Sequence, residues 1–529
     1  MTSPATATLR CDDGTEIPFE WVYPDAADYH WEWNRAHWPQ PATPMTLWLQ
    51  EGYRSGTDRA WQEVGLEPLS YFRRFQFAGP FQYVRMTQYE PERMLGIVPR
   101  YSEVAQQYGN ALGFWQQYCR PRIQQACRDL ADAPDDAPLS SLAEIWGYGW
   151  HQTFTSASLL GLASMHLTAL MAESVGDDAT LLAHEVTQGG DNASQAIDGE
   201  IHDLAALARR TPAVKRILEL NPSGALLESL RREPEAAAFV ADFDALIDRH
   251  GSRSQGWDIA QTTWGEEPEA PLALIRAQLE SEGVSHAELV ARSAASRRQA
   301  TDGALARLPA DKHAEFRQVV SELDGYVAVR EGRAYWQMVI TGEMRGLLLR
   351  RGAGLVGAGL VDRADDILFL VPEDFEGTGT SDLRGLVSER RREWERLCQI
   401  LPPDVIGTPA EAPAAAAAPV VTPDQLRGAP ASRGQVTGPA RILRTLEDAA
   451  SLRAGEIVVC VMTTPAWTPL FAIGGGVITE TGGALSHPAI TAREYGIPCV
   501  VAVKDATTRI RNGQIVTIDG ASGLITLQA

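Results

Sequence analysis

Gly476-Val477-Ile478-Thr479, followed by Thr481-Gly482-Gly483-Ala484-Leu485-Ser486-His487-Pro488-Ala489-Ile490-Thr491-Ala492-Arg493-Glu494-Tyr495-Gly496-Ile497-Pro498-Cys499-Val500-Val501, decides how this 529-residue chain reads. The apolar run Gly476 to Thr479 reads as a buried strand. Gly482 and Gly483 permit a tight turn with positive φ. Ser486 or His487 then stands where a helix begins, and Pro488 suits a first helical position because it has no amide hydrogen to leave unpaired. Ala489 to Tyr495 is the expected helix, Gly496 its stop, and Ile497 to Val503 the next strand. One imidazole therefore sits at a helix N-terminus, where free amides and the helix dipole favour an anion. A histidine so placed can carry a phosphoryl group as a covalent intermediate.

The run from Val477 to Val501 resembles the phosphohistidine swivelling domain of the PEP-utilising enzymes, which include PEP synthase, pyruvate phosphate dikinase and rifampin phosphotransferase. The resemblance implies that His487 is the phosphorylated residue, with Ser486, Gly482 and Gly483 around the phosphoryl group.

With 47 basic against 68 acidic residues the net charge is −21, which argues against nucleic acid and anionic membrane as partners. No apolar run reaches transmembrane length, and Met1 to Arg10 lacks a signal peptide's apolar region. The six cysteines (11, 119, 127, 398, 460 and 499) are scattered without a CxxC pair. They read as free thiols of a cytoplasmic protein, not as a disulfide frame, and no metal site is expected.

Residues 1–140 and the ten that follow hold nine of the fourteen tryptophans. Asp28 to Trp38 is dense in aromatics and includes His30 and His37; Pro39, Pro41 and Pro44 then interrupt regular structure. These rings suit either core anchoring or the aromatic wall of an acceptor pocket. We read 1–140 as a Trp-rich segment of a helical region and 141–406 as its acceptor-binding domain. Three- and four-residue apolar spacing runs through Leu159 to Leu170, Gln195 to Leu207 and Lys312 to Tyr326.

Within that region His250-Gly251-Ser252-Arg253-Ser254-Gln255-Gly256-Trp257-Asp258, with Trp264-Gly265-Glu266-Glu267-Pro268, is polar, glycine-rich and aromatic. It resembles a substrate-domain signature of rifampin phosphotransferase and its relatives, with Ser252 in the position of the family's histidine. Arg330-Glu331 resembles that family's Arg-Glu pair, with Ala334 in the place of its lysine and Arg333 one residue earlier. The resemblance implies Arg330 as a catalytic cation and Arg253, Arg333 and Arg345 as further phosphate contacts. Arginine suits that role because its planar fork binds phosphate bidentately. Asp258 or His250 is the expected general base, and Trp257, Trp264 and Glu331 are expected to line the acceptor.

Residues 407–428 form an Ala/Pro-rich linker, extended at about 3.1 Å per residue in polyproline geometry, which reads as a swivel arm. Residues 429–529 alternate strands and short helices, with Asn512-Gly513 as a hairpin signal. The fold expected is thus multidomain: a large, mainly α-helical region followed by a small α/β swivelling domain. No Walker-type loop is recognisable. The arrangement is similar to the two-subunit phenylphosphate and 4-methylphenyl phosphate synthases, which implies a separate ATP-grasp partner binding ATP and Mg2+. His487 would take the phosphoryl group from it and pass it to a small, phenolic hydroxyl acceptor. An antibiotic or natural-product alcohol, or a carrier role without an acceptor site, are the alternatives.

Overall fold

The computed structural model describes residues 6–22, 25–35, 37–65, 73–86, 103–104, 106–189, 193–220, 225–279, 286–323, 325–376, 382–408, 422, 424–444, 446–483 and 486–528. Its helical region is built on α1 (Pro44–Gln62), α2 (Arg120–Ala131), α3 (Leu139–Val175), α4 (Ala193–Arg210), α5 (Ala237–His250), α6 (His286–Arg307), α7 (Tyr326–Gly357) and α8 (Arg384–Leu397). Thr43 caps α1 by accepting from Thr46 N, and Pro44 takes a first-turn position. The crossing of α1 and α3 depends on glycine. A Cβ on Gly56 would lie 2.3 Å from the Tyr148 nitrogen, and one on Gly147 2.5 Å from the Tyr53 carbonyl oxygen. The two backbones therefore meet almost directly, and one apolar core joins α1, α2, α3 and α7 through Leu49, Trp61, Ile123, Trp146, Ile340 and Leu347.

The N-terminal segment corrects the helical reading of residues 1–140 in part: it holds α1 and α2 but also five strands. β1 (Thr6–Arg10) and β2 (Glu16–Glu20) form an antiparallel pair, while β3 (His30–Trp33), β4 (Arg73–Ala78), β5 (Phe81–Met86) and β6 (Val405–Gly407) form a sheet in the order β4-β5-β3-β6. The physical reason lies in the tryptophans. Bulky aromatics favour the pleated, half-buried surface of a sheet, and Trp21, Trp31, Phe81 and Tyr83 pack there with Leu397 and Ile400. Because Trp31 pairs with Ile406 and His30 with Gly407, the chain returns to this sheet before it leaves the helical region. Gly407 thus ends a strand, and residues 409–421 and 423 of the expected linker lie outside the described residues.

The C-terminal domain is an eight-stranded sheet ordered β7 (Gln425–Arg427), β14 (Leu524–Leu527), β13 (Ile515–Asp519), β9 (Gln435–Ile442), β10 (Ile457–Cys460), β11 (Gly476–Thr479), β12 (Cys499–Val501) and β8 (Ala429–Ser432). β9 to β12 run parallel. Every residue of β10, β11 and β12 is buried, as parallel strands covered on both faces require. The sheet takes in Gln425–Arg427, ahead of the expected boundary at 429. Asn512-Gly513 is a turn, not a hairpin: β13 pairs with β9, and the Asn512 side chain accepts from Ile442 N. Among the described residues no helix is long and apolar enough to cross a membrane.

Candidate active site

Beyond the carboxyl end of β11 the chain turns at Gly482, whose φ is +109 and whose added Cβ would meet the Ser486 side chain at 2.8 Å. Ser486 is extended, and its hydroxyl donates back to the Gly483 carbonyl oxygen at 2.7 Å. Helix α9 (His487–Tyr495) starts at His487 with Pro488 in its first turn, and Gly496 stops it in the left-handed conformation. Ala484 and Leu485 lie outside the described residues.

The imidazole of His487 is pressed against the helical region. Its Nδ1 lies 3.0 Å from Oε2 of Glu331 on α7, and the two side chains are only 10% and 4% exposed. Thr468 Oγ1 and Thr491 Oγ1 each lie 3.4 Å from Nε2, and Phe471 meets the ring edge-on at 6.3 Å. A carboxylate only accepts, so Nδ1 carries the proton and the lone pair is left on Nε2. In this position Glu331 therefore selects the tautomer of His487. The sequence reading placed Glu331 against the acceptor; the structure places its carboxylate on the histidine.

A guanidinium waits beside that pair. Arg253 is 1% exposed, and its charge couples to those of Tyr335 and Glu331. Among the described residues its Nε and Nη2 have no hydrogen-bond partner. Burial pulls its pKa down to about 10, so it remains charged at neutral pH. A buried cation with unpaired N–H groups is costly unless an anion comes to it. Trp264 lies 5.0 Å beneath this guanidinium and is wholly buried, which makes it the floor under Arg253 and not the acceptor wall expected of it. Arg330 is half-buried near His184, whose imidazole is driven to about 3 by burial and then by the charges of Arg493 and Arg330. Arg333, three residues on from Arg330, is half-buried on neighbouring helix surface.

Other expected site residues lie elsewhere. Arg345 makes a two-pronged bond to Glu266, with Nε and Nη2 each 2.9–3.0 Å from its oxygens, and donates to the Ile259 and Ala260 carbonyls. Its fork is fully used in tying residues 259–266 to α7, which excludes the expected phosphate contact. Asp258 accepts from Thr46 Oγ1 and Ala260 N, both at 2.9 Å, and borders a cavity of about 50 Å³ with His37, Trp38 and Trp394. Burial raises it to about 6. Among the described residues it does not touch His487, so the structure does not support it as the base there. Trp257 is buried, donates to Gln337 Oε1 at 3.2 Å and meets the His37 ring edge-on. His250 bonds Tyr335 and Glu200 and reaches the site through Tyr335.

The two regions meet through a built interface. Glu494 accepts from Gly189 N at 2.6 Å and from Ser293 Oγ at 2.8 Å. The Tyr495 hydroxyl donates to buried Asp198, and Arg433 pairs with Glu185 at 2.7 Å. One apolar cluster runs from Ile201, Phe243 and Trp264 into Phe471, Ala489 and Tyr495. None of these partners carries a local sequence signal, because each pair is far apart along the chain.

Comparison with known proteins agrees with this geometry. Residues 452–523 match the family model for the PEP-utilising enzyme, mobile domain, and residues 153–331 match that for the rifampicin phosphotransferase fourth domain. The first match takes in His487, and the second takes in Arg253, Arg330 and Glu331. A rifampicin phosphotransferase of Streptomyces sviceus is 31% identical over 334 residues, 61% of this chain and 38% of that protein. The uncharacterized phosphotransferase YvkC of Bacillus subtilis is 28% identical over 386 residues, 69% of this chain and 46% of its own length. Chondramide synthase of Chondromyces crocatus is 28% identical over 553 residues, 97% of this chain but 14% of that protein. The chain thus spans less than half the length of each of these relatives. Only the last of the three likenesses takes in almost the whole chain.

Proposed function

We propose that the chain is the carrier and acceptor half of a phosphotransferase: His487 receives a phosphoryl group and delivers it to a hydroxyl held by the helical region. The observation that carries this reading is the Nδ1 contact to Glu331, which joins the two matched modules near Arg253, whose Nε and Nη2 have no partner among the described residues. The donor in this reading is ATP with Mg2+, held outside this chain by an ATP-grasp partner. The mobile domain then turns to the position seen here.

The acceptor oxygen attacks phosphorus, the new O–P bond forms, and the Nε2–P bond breaks with its electron pair returning to Nε2. Because Glu331 keeps the proton on Nδ1, the leaving group is neutral imidazole and not its anion. Arg253, with Arg330 beside the interface, balances charge on the phosphoryl oxygens, and one such donor is worth roughly 10²–10³-fold.

Of the two acceptor classes, the likeness to rifampicin phosphotransferases and to chondramide synthase favours an antibiotic or natural-product hydroxyl. The small cavity bordered by His37, Trp38 and Trp394 supports the second reading, a simple phenol of the phenylphosphate synthase type. A chase of phosphorylated protein with rifampicin, phenol and p-cresol tests both. Transfer to rifampicin alone supports the first, transfer to the small phenols supports the second, and transfer to none removes both acceptor classes.

A further inference from the structure

Four residues, one helical turn, separate Glu331 from Tyr335 on α7, so both side chains address the same face. That face meets the mobile domain: Glu331 holds His487, and Tyr335 packs against the apolar cluster that spans the two modules. The Tyr335 hydroxyl lies 3.2 Å from His250 Nδ1, and His250 Nε2 lies 3.3 Å from Glu200 Oε1. Glu200 in turn takes Arg249 Nη2 on its other oxygen at 2.6 Å. Three helices, α4, α5 and α7, thus contribute one member each to a chain that ends beside Arg253 and Glu331.

The direction of each bond is dictated by the chain's far end. Burial opposes ionisation of Glu200, but hydrogen bonds from Arg249 and His250 outweigh it and hold the carboxyl below its usual range. A carboxylate only accepts, so His250 carries its proton on Nε2. Nδ1 is then a bare lone pair, and the Tyr335 hydroxyl must donate to it. The phenolic oxygen keeps its own lone pairs for a further donor. Facing His250 are Glu200, Arg253, Arg249 and Tyr335; burial lowers its affinity for a proton, Glu200 partly restores it, and the two arginines lower it again. The ring is therefore neutral and able to accept. Its place at the C-terminus of α5 favours the imidazolium once formed.

Resting on the phosphotransfer reading, we propose that Tyr335 is the group that takes the proton from the acceptor hydroxyl, relaying it to His250 and Glu200. As the acceptor oxygen bonds to phosphorus, its proton passes to the Tyr335 oxygen while the Tyr335 proton passes to His250 Nδ1. The phenol ends neutral, the imidazole ends as imidazolium paired with Glu200, and the Nε2–P electron pair returns to His487. No free phenolate is needed, which accords with a buried phenol whose pKa is raised, burial outweighing the opposing charge of Arg253. Arg253, close enough to act on Tyr335 electrostatically, steadies the oxygen while it changes hands.

Two measurements test this on the full chain. The first needs no acceptor: 15N spectra of labelled histidine should show His250 neutral at pH 7 with its proton on Nε2. A proton on Nδ1, or a charged ring, would overturn the relay. The second uses protein phosphorylated on His487 with phosphoramidate and chased with rifampicin and with phenol as probes. Tyr335→Phe should load normally, lose roughly 10²–10⁴-fold in the maximal chase rate and leave the half-saturating probe concentration unchanged. His250→Gln should lose a similar factor, and the pair of changes should cost little more than either alone. Wild-type chase rates in Tyr335→Phe would refute the proposal. If wild-type protein transfers to neither probe, the acceptor reading falls, and the tautomer of His250 still decides the relay.

Discussion

Replacing Glu331 by glutamine keeps the shape of the side chain and removes its charge. The carboxylate lies 3.0 Å from Nδ1 of His487 in a contact whose two side chains are 10% and 4% exposed. A hydrogen bond to a charged group is worth about 1.5–3 kcal/mol net. At 1.36 kcal/mol per tenfold, that is a loss of roughly 10- to 150-fold in transfer. The loss should also depend on pH. In the native protein Glu331 holds the Nδ1 proton, so neutral imidazole departs. In Glu331→Gln that proton is held less firmly, and the phosphorylated ring departs easily only when solvent supplies it. Transfer by the variant should therefore rise as pH falls from 8 to 6, while the native rate changes less. Single-turnover chase of pre-phosphorylated protein across that range gives both numbers. Native rates with a native pH profile in Glu331→Gln would refute the role given to this carboxylate.

Three further outcomes follow from other contacts. Arg253→Gln should lower the chase rate roughly 10²–10³-fold with little change in acceptor binding, because its N–H groups, unpaired among the described residues, act in this account on the transferring phosphoryl and the Tyr335 oxygen and not on the bound acceptor; a change confined to binding would contradict it. Arg345→Met leaves Glu266 without its fork and should cost about 3 kcal/mol of stability, the lower end for a broken buried pair because Glu266 is 30% exposed; an unshifted denaturation midpoint would show that the pair does not hold the loop. Docking of the mobile domain should strengthen as pH falls through about 6, because burial, outweighing the hydrogen bonds from Tyr495 and Gln278, raises Asp198 to about 6 from 3.8, and in this account undocking restores that carboxyl to water. The gain is at most about 1.4 kcal/mol per pH unit and ends near pH 4. Energy transfer between labels on the two modules reads it; an Asp198→Asn variant with the same pH slope, or a slope of opposite sign, would reject it.

How much of this was legible in the sequence depends on the range of each interaction. The turn at Gly482, the start at His487-Pro488 and the stop at Gly496 are local, and strand, helix and cap fell where glycine and proline chemistry puts them. Glu331 was recognisable as half of an Arg-Glu pair, but its true partner lies 156 residues away on another module, so its role waited for the fold. Arg345 and Arg253 looked alike as arginines near a signature loop. Only the fold shows that the first is satisfied by Glu266 while the second keeps two nitrogens unpaired among the described residues. The tryptophans near the N-terminus suggested a helical wall because aromatic density has no period of its own. Their strands are fixed by pairing with β6, which arrives from the far end of the helical region. Tyr335 carried one faint signal, its four-residue spacing from Glu331, and acquires meaning only through His250.

The central claim is that a single nitrogen of His487 carries the phosphoryl group between donor and acceptor. It is tested most directly by pulse and chase: the chain, an ATP-grasp donor and ATP labelled in both its β- and γ-phosphates, quenched over time and mapped by residue. The account predicts an acid-labile, base-stable adduct on Nε2 of His487 that forms before product and decays at the rate product appears, with none in His487→Ala. Labelled product from His487→Ala, or an adduct on another side chain that decays into product, would contradict it.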